Sequence, residues 1–161
     1  MSEELTRKQA QRLLDLAYVH HSRGELGDAI ELYKRSIALY PTAEAYTYLG
    51  WAYSMIGQLG AAIEYCEKAI ELDPDFGNPY NDIGAYLIDL EEWEAAIPWL
   101  EKALVAKRYD TPHFPCYNLG RVYEHLGRYR EALTCYNEAL AIDPTYQTAQ
   151  RAKYALLAKL N

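Results

Sequence analysis

An all-α solenoid of four stacked helical hairpins, sealed by one further helix, is the fold class that this sequence predicts. A pattern of small and large residues returns four times at nearly constant spacing. Within each copy the apolar residues recur at intervals of three and four, the signature of one face of an amphipathic helix. The chain has 161 residues, half of them apolar, enough for a single domain over 1–161 that buries a core without disulfides or metal.

The copies align on Tyr46, Leu49, Gly50 and Tyr53; on Tyr80, Ile83, Gly84 and Leu87; and on Cys116, Leu119, Gly120 and Tyr123. A weaker copy precedes them at Leu13, Leu16, Ala17 and His20. The anchors Ala17, Gly50, Gly84 and Gly120 lie 33, 34 and 36 residues apart. Downstream of each comes a run of small, large and small residues, such as Ala62, Cys66 and Ala69, and Pro41, Pro74 and Pro144 close three of the four copies.

Each copy therefore reads as two helices. The spacing predicts them over about 7–22 and 25–39, 43–56 and 59–72, 77–90 and 93–106, and 112–126 and 129–142. Gly50, Gly84, Gly120 and the alanines at 62, 96 and 132 mark where paired axes come close. Gly24, Gly57 and Gly127 fall between the two helices of a pair, where a positive φ carries no Cβ penalty. Glu91 holds that place in the third copy, so its turn is expected to close differently. Pro98, inside the second helix of the same copy, predicts a late start or a kink. The stretch Lys107 to Pro112 is longer than its counterparts, with Thr111 expected as N-cap, Pro112 at the first helical position and Tyr109 exposed on the loop. A ninth helix over 146–159, with the stripe Ala149, Ala152, Ala155, Leu156 and Leu160, is expected to cap the stack.

These residues resemble the tetratricopeptide repeat, with its pattern W-x-x-L-G-x-x-Y followed by A-x-x-x-F and a closing proline. The resemblance covers repeats at about 10–42, 43–76, 77–112 and 113–146. The chain departs from the pattern in placing tyrosine or cysteine at the first aromatic position and Arg108 where a proline would close the third copy. What the resemblance implies is a right-handed superhelix with a concave wall built from the first helix of each pair. It also implies an adaptor or scaffold that binds a peptide segment or partner protein there.

On that wall the side chains left over from packing are Tyr18 and His21 of the first repeat and Tyr48 and Trp51 of the second, with Met55 nearby. Asn78, Asn81 and Asp82 come from the third, and Phe114, Tyr117, Asn118 and Arg121 from the fourth. Trp51 directly follows Gly50 and points about 100° off the packed stripe, so it either faces the groove or packs on the next repeat. Some family members clamp an acidic C-terminus with lysines, an arginine and asparagines. The matching positions here hold Leu14, Tyr18, Tyr48, Asn78 and Asp82, or one copy along Thr47, Trp51, Asp82, Phe114 and Asn118, without the positive charges. A carboxylate clamp is therefore disfavoured.

Charge excludes further classes. The net charge is −7, made up of 0 over 1–42, −5 over 43–76, −4 over 77–112, −1 over 113–146 and +3 over 147–161. Phosphate backbones require clustered Lys and Arg, so nucleic acid is not an expected partner. No apolar run is long enough to span a bilayer, so no membrane partner is expected either. The charged N-terminus lacks the apolar core of a signal peptide, and three cysteines suit a reducing compartment, so a cytoplasmic protein is expected, monomeric or weakly homo-oligomeric. There is no glycine-rich phosphate loop, G-x-S-x-G, H-E-x-x-H or C-x-x-C, so no enzyme and no cofactor are expected. The best candidate for a metal is His113 with Cys116, joined by His125 or Cys135. Those thiols occupy packing positions, however, and no metal is expected. His20 takes a core tyrosine's place and is expected to be a satisfied packing residue. Self-assembly through the ends or the convex face is the alternative function.

Overall fold

The Ser2 side chain opens the first helix by accepting the Leu5 amide at 3.2 Å, and Glu3 and Glu4 complement the positive end of the helix dipole. Helix α1 therefore runs Glu3–Ser22, starting four residues before the apolar periodicity does. The computed structural model describes residues 2–161, and among them the other helices are α2 Leu26–Leu39, α3 Ala43–Met55, α4 Leu59–Leu72, α5 Asn78–Asp89, α6 Trp93–Val105, α7 His113–His125, α8 Tyr129–Ile142 and α9 Gln147–Leu160. The described residues contain no β-strand, only one isolated bridge between Phe76 and Arg108.

Helices pair as α1 with α2, α3 with α4, α5 with α6 and α7 with α8, and each pair packs on the next. Close approach within a pair depends on the anchor glycines. A Cβ on Gly50 would lie 2.9 Å from the carbonyl oxygen of Ala62, and one on Gly84 would lie 2.4 Å from Leu100 Cδ2. Between pairs, Ile88, Leu100, Leu119 and Val122 form one cluster joining the third hairpin to the fourth. Leu100 is fully buried, so Leu100→Ala would cost on the order of 2–5 kcal/mol.

All four hairpin turns close alike. The amides of Glu25, Gln58, Glu92 and Arg128 donate to the carbonyls of His20, Tyr53, Leu87 and Tyr123 at 3.0, 3.0, 2.8 and 2.8 Å. The residue before each donor has a positive φ: 79° at Gly24, 83° at Gly57, 77° at Gly127 and 62° at Glu91. The third turn is thus no exception, contrary to the sequence expectation. Glu91 adopts the glycine conformation at a cost of about 1–2 kcal/mol, which the packing of α5 on α6 sustains.

Pro98 does not delay its helix either. Helix α6 begins at Trp93, two residues past the positive-φ position like the other second helices, and continues through Pro98 to Val105. The proline ring sits on the exposed side while Ala96 and Leu100 hold the buried one.

The long segment before α7 is folded back rather than free. The Arg108 amide donates to the Asp75 carbonyl at 2.9 Å, and the Gly77 amide donates to the Arg108 carbonyl at 3.0 Å. Tyr109 packs over Gly77, where an added Cβ would come within 2.5 Å of Tyr109 Cβ, so this ring is not an exposed loop tyrosine. Thr111 is not the N-cap. Pro112 is already helical at φ −66°, ψ −11°, and the Thr111 side chain lies beside the Tyr109 hydroxyl instead of reaching an amide.

Helix α9 lies on α8 as the first helix of a further repeat would. Ala149 and Leu156 are buried there, but Ala155 and Leu160 of the expected stripe are exposed. Leu156 already meets Ala132 near the start of α8, so the antiparallel partner runs out before Leu160.

Candidate functional site

The first helices, α1, α3, α5 and α7, stand side by side, and contacts also link α3 to α5 and α5 to α7 directly. In the N-terminal half of this wall the rings brace one another. Tyr18, 45% exposed, meets Tyr48 edge to face with centroids 5.6 Å apart. Tyr48 in turn stacks on the buried Tyr33 of α2 at 6.1 Å.

His21 supports the layer above these rings. It is only 2% exposed, its Nδ1 shares a 2.9 Å hydrogen bond with the Tyr33 hydroxyl, and its Nε2 lies 3.1 Å from the Met55 sulfur. Burial pushes its pKa below the ordinary histidine value, which keeps the ring neutral. Trp51 lies 3.9 Å from the His21 ring, centroid to centroid, and remains 38% exposed. One side of the indole therefore packs on the preceding repeat while the rest is open.

In the C-terminal half, Phe114 is exposed on one side and lies edge to face against Tyr146 at 5.5 Å. Tyr117 contacts Tyr146 and Tyr136, with the Arg121 guanidinium 5.8 Å above its ring. Polar residues link the halves: Asn118 donates through Nδ2 to Asn81 Oδ1 at 3.0 Å, and Arg121 donates to Asn118 Oδ1 at 3.3 Å. Asn81 and Asn118 are 8% and 7% exposed, so they fasten α5 to α7 and offer little surface, while Asn78 at the head of α5 is half-buried. Asp82, next to Asn81, is flanked so closely that burial pushes its pKa up to about 7, against which the Asn81 amide works weakly.

Two clefts open along the wall. One of about 270 Å³ is lined by Gln11, Leu14, Asp15, Tyr18, Glu44 and Tyr48. The other, of about 410 Å³, lies at the far end among Trp93, Arg121, Glu124, His125, Ala155 and Lys159. Glu124 accepts from the Tyr136 hydroxyl and from Lys159, each at 3.0 Å, tying α7 to α8 and α9.

The structure does not gather the candidate metal ligands around His113. That ring faces Asp143 at 3.9 Å and packs on Phe114 and Tyr146, while Cys116 and Cys135 are buried with their thiol pKa values pushed up to about 11 and 12 by desolvation. Among the described residues the grouping of metal-binding side chains is His20, Glu25 and Asp28, with ligand atoms within 4.8 Å of one another. The His20 Nδ1 is buried without a hydrogen-bond partner and lies 3.5 Å from the Glu25 carboxylate. His20 is therefore less satisfied than its packing position led one to expect, because the tyrosine it replaces would carry its polar atom further out.

The chain is thus a helical-repeat solenoid with a row of aromatic rings along its first helices. It belongs to the tetratricopeptide repeat family: models of that repeat match residues 9–40, 43–76 and 115–146, together more than half of the chain. Proteins of this fold are in general protein–protein interaction adaptors. Among curated relatives, the small glutamine-rich tetratricopeptide repeat-containing protein 2 of Mycosarcoma maydis is 32% identical over 84 residues, 52% of this chain and 24% of that protein. The chain spans 20% to 32% of the length of the curated relatives it matches. In structure it is similar to MamA, at 26% identity and a TM-score of 0.73, covering 89% of this chain and 83% of that one. PilF of Pseudomonas aeruginosa superposes with a TM-score of 0.88 at 21% identity, covering 95% of this chain and 70% of that one, a likeness of fold. No helix among the described residues is long and apolar enough to cross a membrane.

Proposed function

We propose that this chain is a protein interaction module that holds a peptide segment or partner surface along its concave wall and carries out no covalent chemistry. The observation that carries the reading is the row of half-open rings, Tyr18, Tyr48 and Trp51, held rigid from behind by His21 and Tyr33. Flat amphipathic rings fixed in advance lose little conformational entropy on binding, which makes them effective anchors. Phe114, Tyr117 and Arg121 extend the same surface across the fourth hairpin. The shortage of cations on the wall argues against an acidic-tail clamp, and the three buried free cysteines suit a reducing compartment such as the cytoplasm.

Selection from a randomised peptide display library tests this. Peptides enriched on the wild type should lose binding to Trp51→Ala and keep it to Tyr129→Ala, which removes an exposed ring from α8. Enrichment that survives Trp51→Ala unchanged would overturn the groove assignment.

A second reading has its own support. Leu5, Leu16 and Val19 on α1 and Tyr154 and Leu160 on α9 leave apolar surface open at both ends of the stack, which would suit self-assembly. Light scattering that reports a monomer across a concentration series would remove it.

A further inference from the structure

We propose that the segment received by the concave wall carries a lysine or arginine, and that Asp82 is the group that receives its charge. The inference rests on the groove reading above and specifies the chemistry of the occupant.

Asp82 stands on α5 two residues before Gly84, at the register that Tyr48 occupies on α3 and Asn118 on α7. It therefore sits mid-wall between the two aromatic halves. The described residues form ion pairs at Glu4, Glu25, Glu44, Asp73, Glu124, Glu131 and Asp143, and Asp82 is in none of them. The titratable groups that feel its charge are Tyr48 of α3, Cys66 of α4, Tyr86 of α5 and Tyr109 of the segment before α7, and every one is a neutral acid. On α7 the side chain at the same register is the Asn118 amide, which is bonded to Asn81. Asp82 is half-buried, within reach of a ligand. A carboxylate partly withdrawn from water without a counter-ion is costly to a fold, and a cation brought by a ligand removes that cost.

The surroundings point the same way. Asp15 and Glu44 add negative charge around the Tyr48 phenol, together with Asp82. Arg121, the cation of the wall, is held away by Asn118 and Tyr117. The half-buried Tyr48 ring and the open part of Trp51 add attraction for a guanidinium or ammonium group on its way to the carboxylate. An acidic or phosphorylated segment would meet only repulsion on this stretch.

The test begins with the display selection on the wild type and continues by fluorescence polarisation on the best peptide. A basic residue should be enriched at one position, and replacing an arginine there by its neutral isostere citrulline should weaken binding at least about tenfold. On Asp82→Asn the two peptides should bind within about twofold of each other, while thermal unfolding at neutral pH shows the variant to be at least as stable as the wild type. Enriched peptides that depend on Trp51 but carry no basic residue, or an arginine peptide and its citrulline form that bind the wild type equally, would overturn the assignment to Asp82 and leave the groove reading standing. If no peptide depends on Trp51, the groove reading itself falls and this inference with it. Equal binding of the arginine and citrulline peptides to the wild type overturns the assignment even if Asp82→Asn fails to fold.

Discussion

Arg108, at the end of the third hairpin, donates to Glu44 at the head of α3, 64 residues upstream, at 2.9 Å. The same guanidinium pairs with Asp73 and lies 4.3 Å above the Phe76 ring. One side chain, standing where a repeat would place its closing proline, thus clasps the second hairpin to the third. Each pair is half-exposed and worth little alone, but the pairs and the ring share one planar group. Arg108→Ala is expected to lower stability by about 1–2 kcal/mol in urea unfolding. Arg108→Lys should recover only part, since an ammonium group neither stacks nor bridges two carboxylates in the same way. The arginine holds the Asp73 pKa below its ordinary value. That contribution is therefore present above the ordinary carboxylate range and is lost as pH falls through it, a dependence that Arg108→Ala should weaken.

Glu91 offers the opposite case, a substitution that should stabilise. Its φ of 62° places an ordinary side chain in the region its three counterparts fill with glycine. Glu91→Gly relieves about 1–2 kcal/mol of backbone strain and adds back part of it as unfolded-state entropy, for a net gain of about 0.5–1 kcal/mol. A higher melting temperature in calorimetry is the expected result. Gly57→Ala, tested in parallel, should melt lower, because nothing surrounds Gly57 that could reward the added methyl.

Repetition made the helices legible, because four copies of a 33- to 36-residue pattern place each small and each large residue in register. What stayed out of reach were contacts between residues that do not repeat. His21 reads as a surface position on a helical wheel, yet it is buried because Tyr33 brings a hydroxyl that needs a partner. Asn81 and Asn118 look like groove ligands by residue type, but they bond each other and are almost wholly buried. The fate of Glu91 and Tyr109 turned on cooperative packing around them, which overrides local preference. The offset from Gly50, together with the family resemblance, places Trp51 on the wall, but the histidine beneath it appears only in three dimensions.

Gly120 meets an aromatic ring where Gly84 meets an aliphatic tip. A Cβ added to Gly120 would lie 2.3 Å from Tyr136 Cε1, and that ring is fixed by its hydroxyl bond to Glu124. At Gly84 the obstacle is the Leu100 side chain, Cδ2 at 2.4 Å and Cγ at 2.6 Å, which no hydrogen bond fixes and which has fewer atoms to displace than a ring. Gly120→Ala is therefore expected to destabilise by about 1–3 kcal/mol and Gly84→Ala by less, as read from chemical unfolding of the two variants.

Asp82 predicts a pH dependence that runs against the usual one for carboxylates. Its pKa rises from 3.8 in the unfolded chain to about 7 in the fold, because the ionised form is poorly solvated. Between those values the folded chain binds more protons than the unfolded chain, so stability falls as pH rises from about 4 to 7 and then levels off. His21 acts in the opposite direction: its lowered pKa stabilises the fold above the ordinary histidine value and is lost on acidification. The two contributions overlap, and only a difference between proteins separates them. Asp82→Asn keeps the shape of the side chain and removes its titration. The gap in melting temperature between variant and wild type should therefore be small or reversed at pH 4, where the native carboxyl is neutral, and should open in favour of the variant towards pH 8. Parallel curves for the two proteins across that range would mean that the carboxylate is well solvated in the fold. The cost of leaving it without a counter-ion would then vanish, and with it the reason to expect a cation from a partner at this point of the wall.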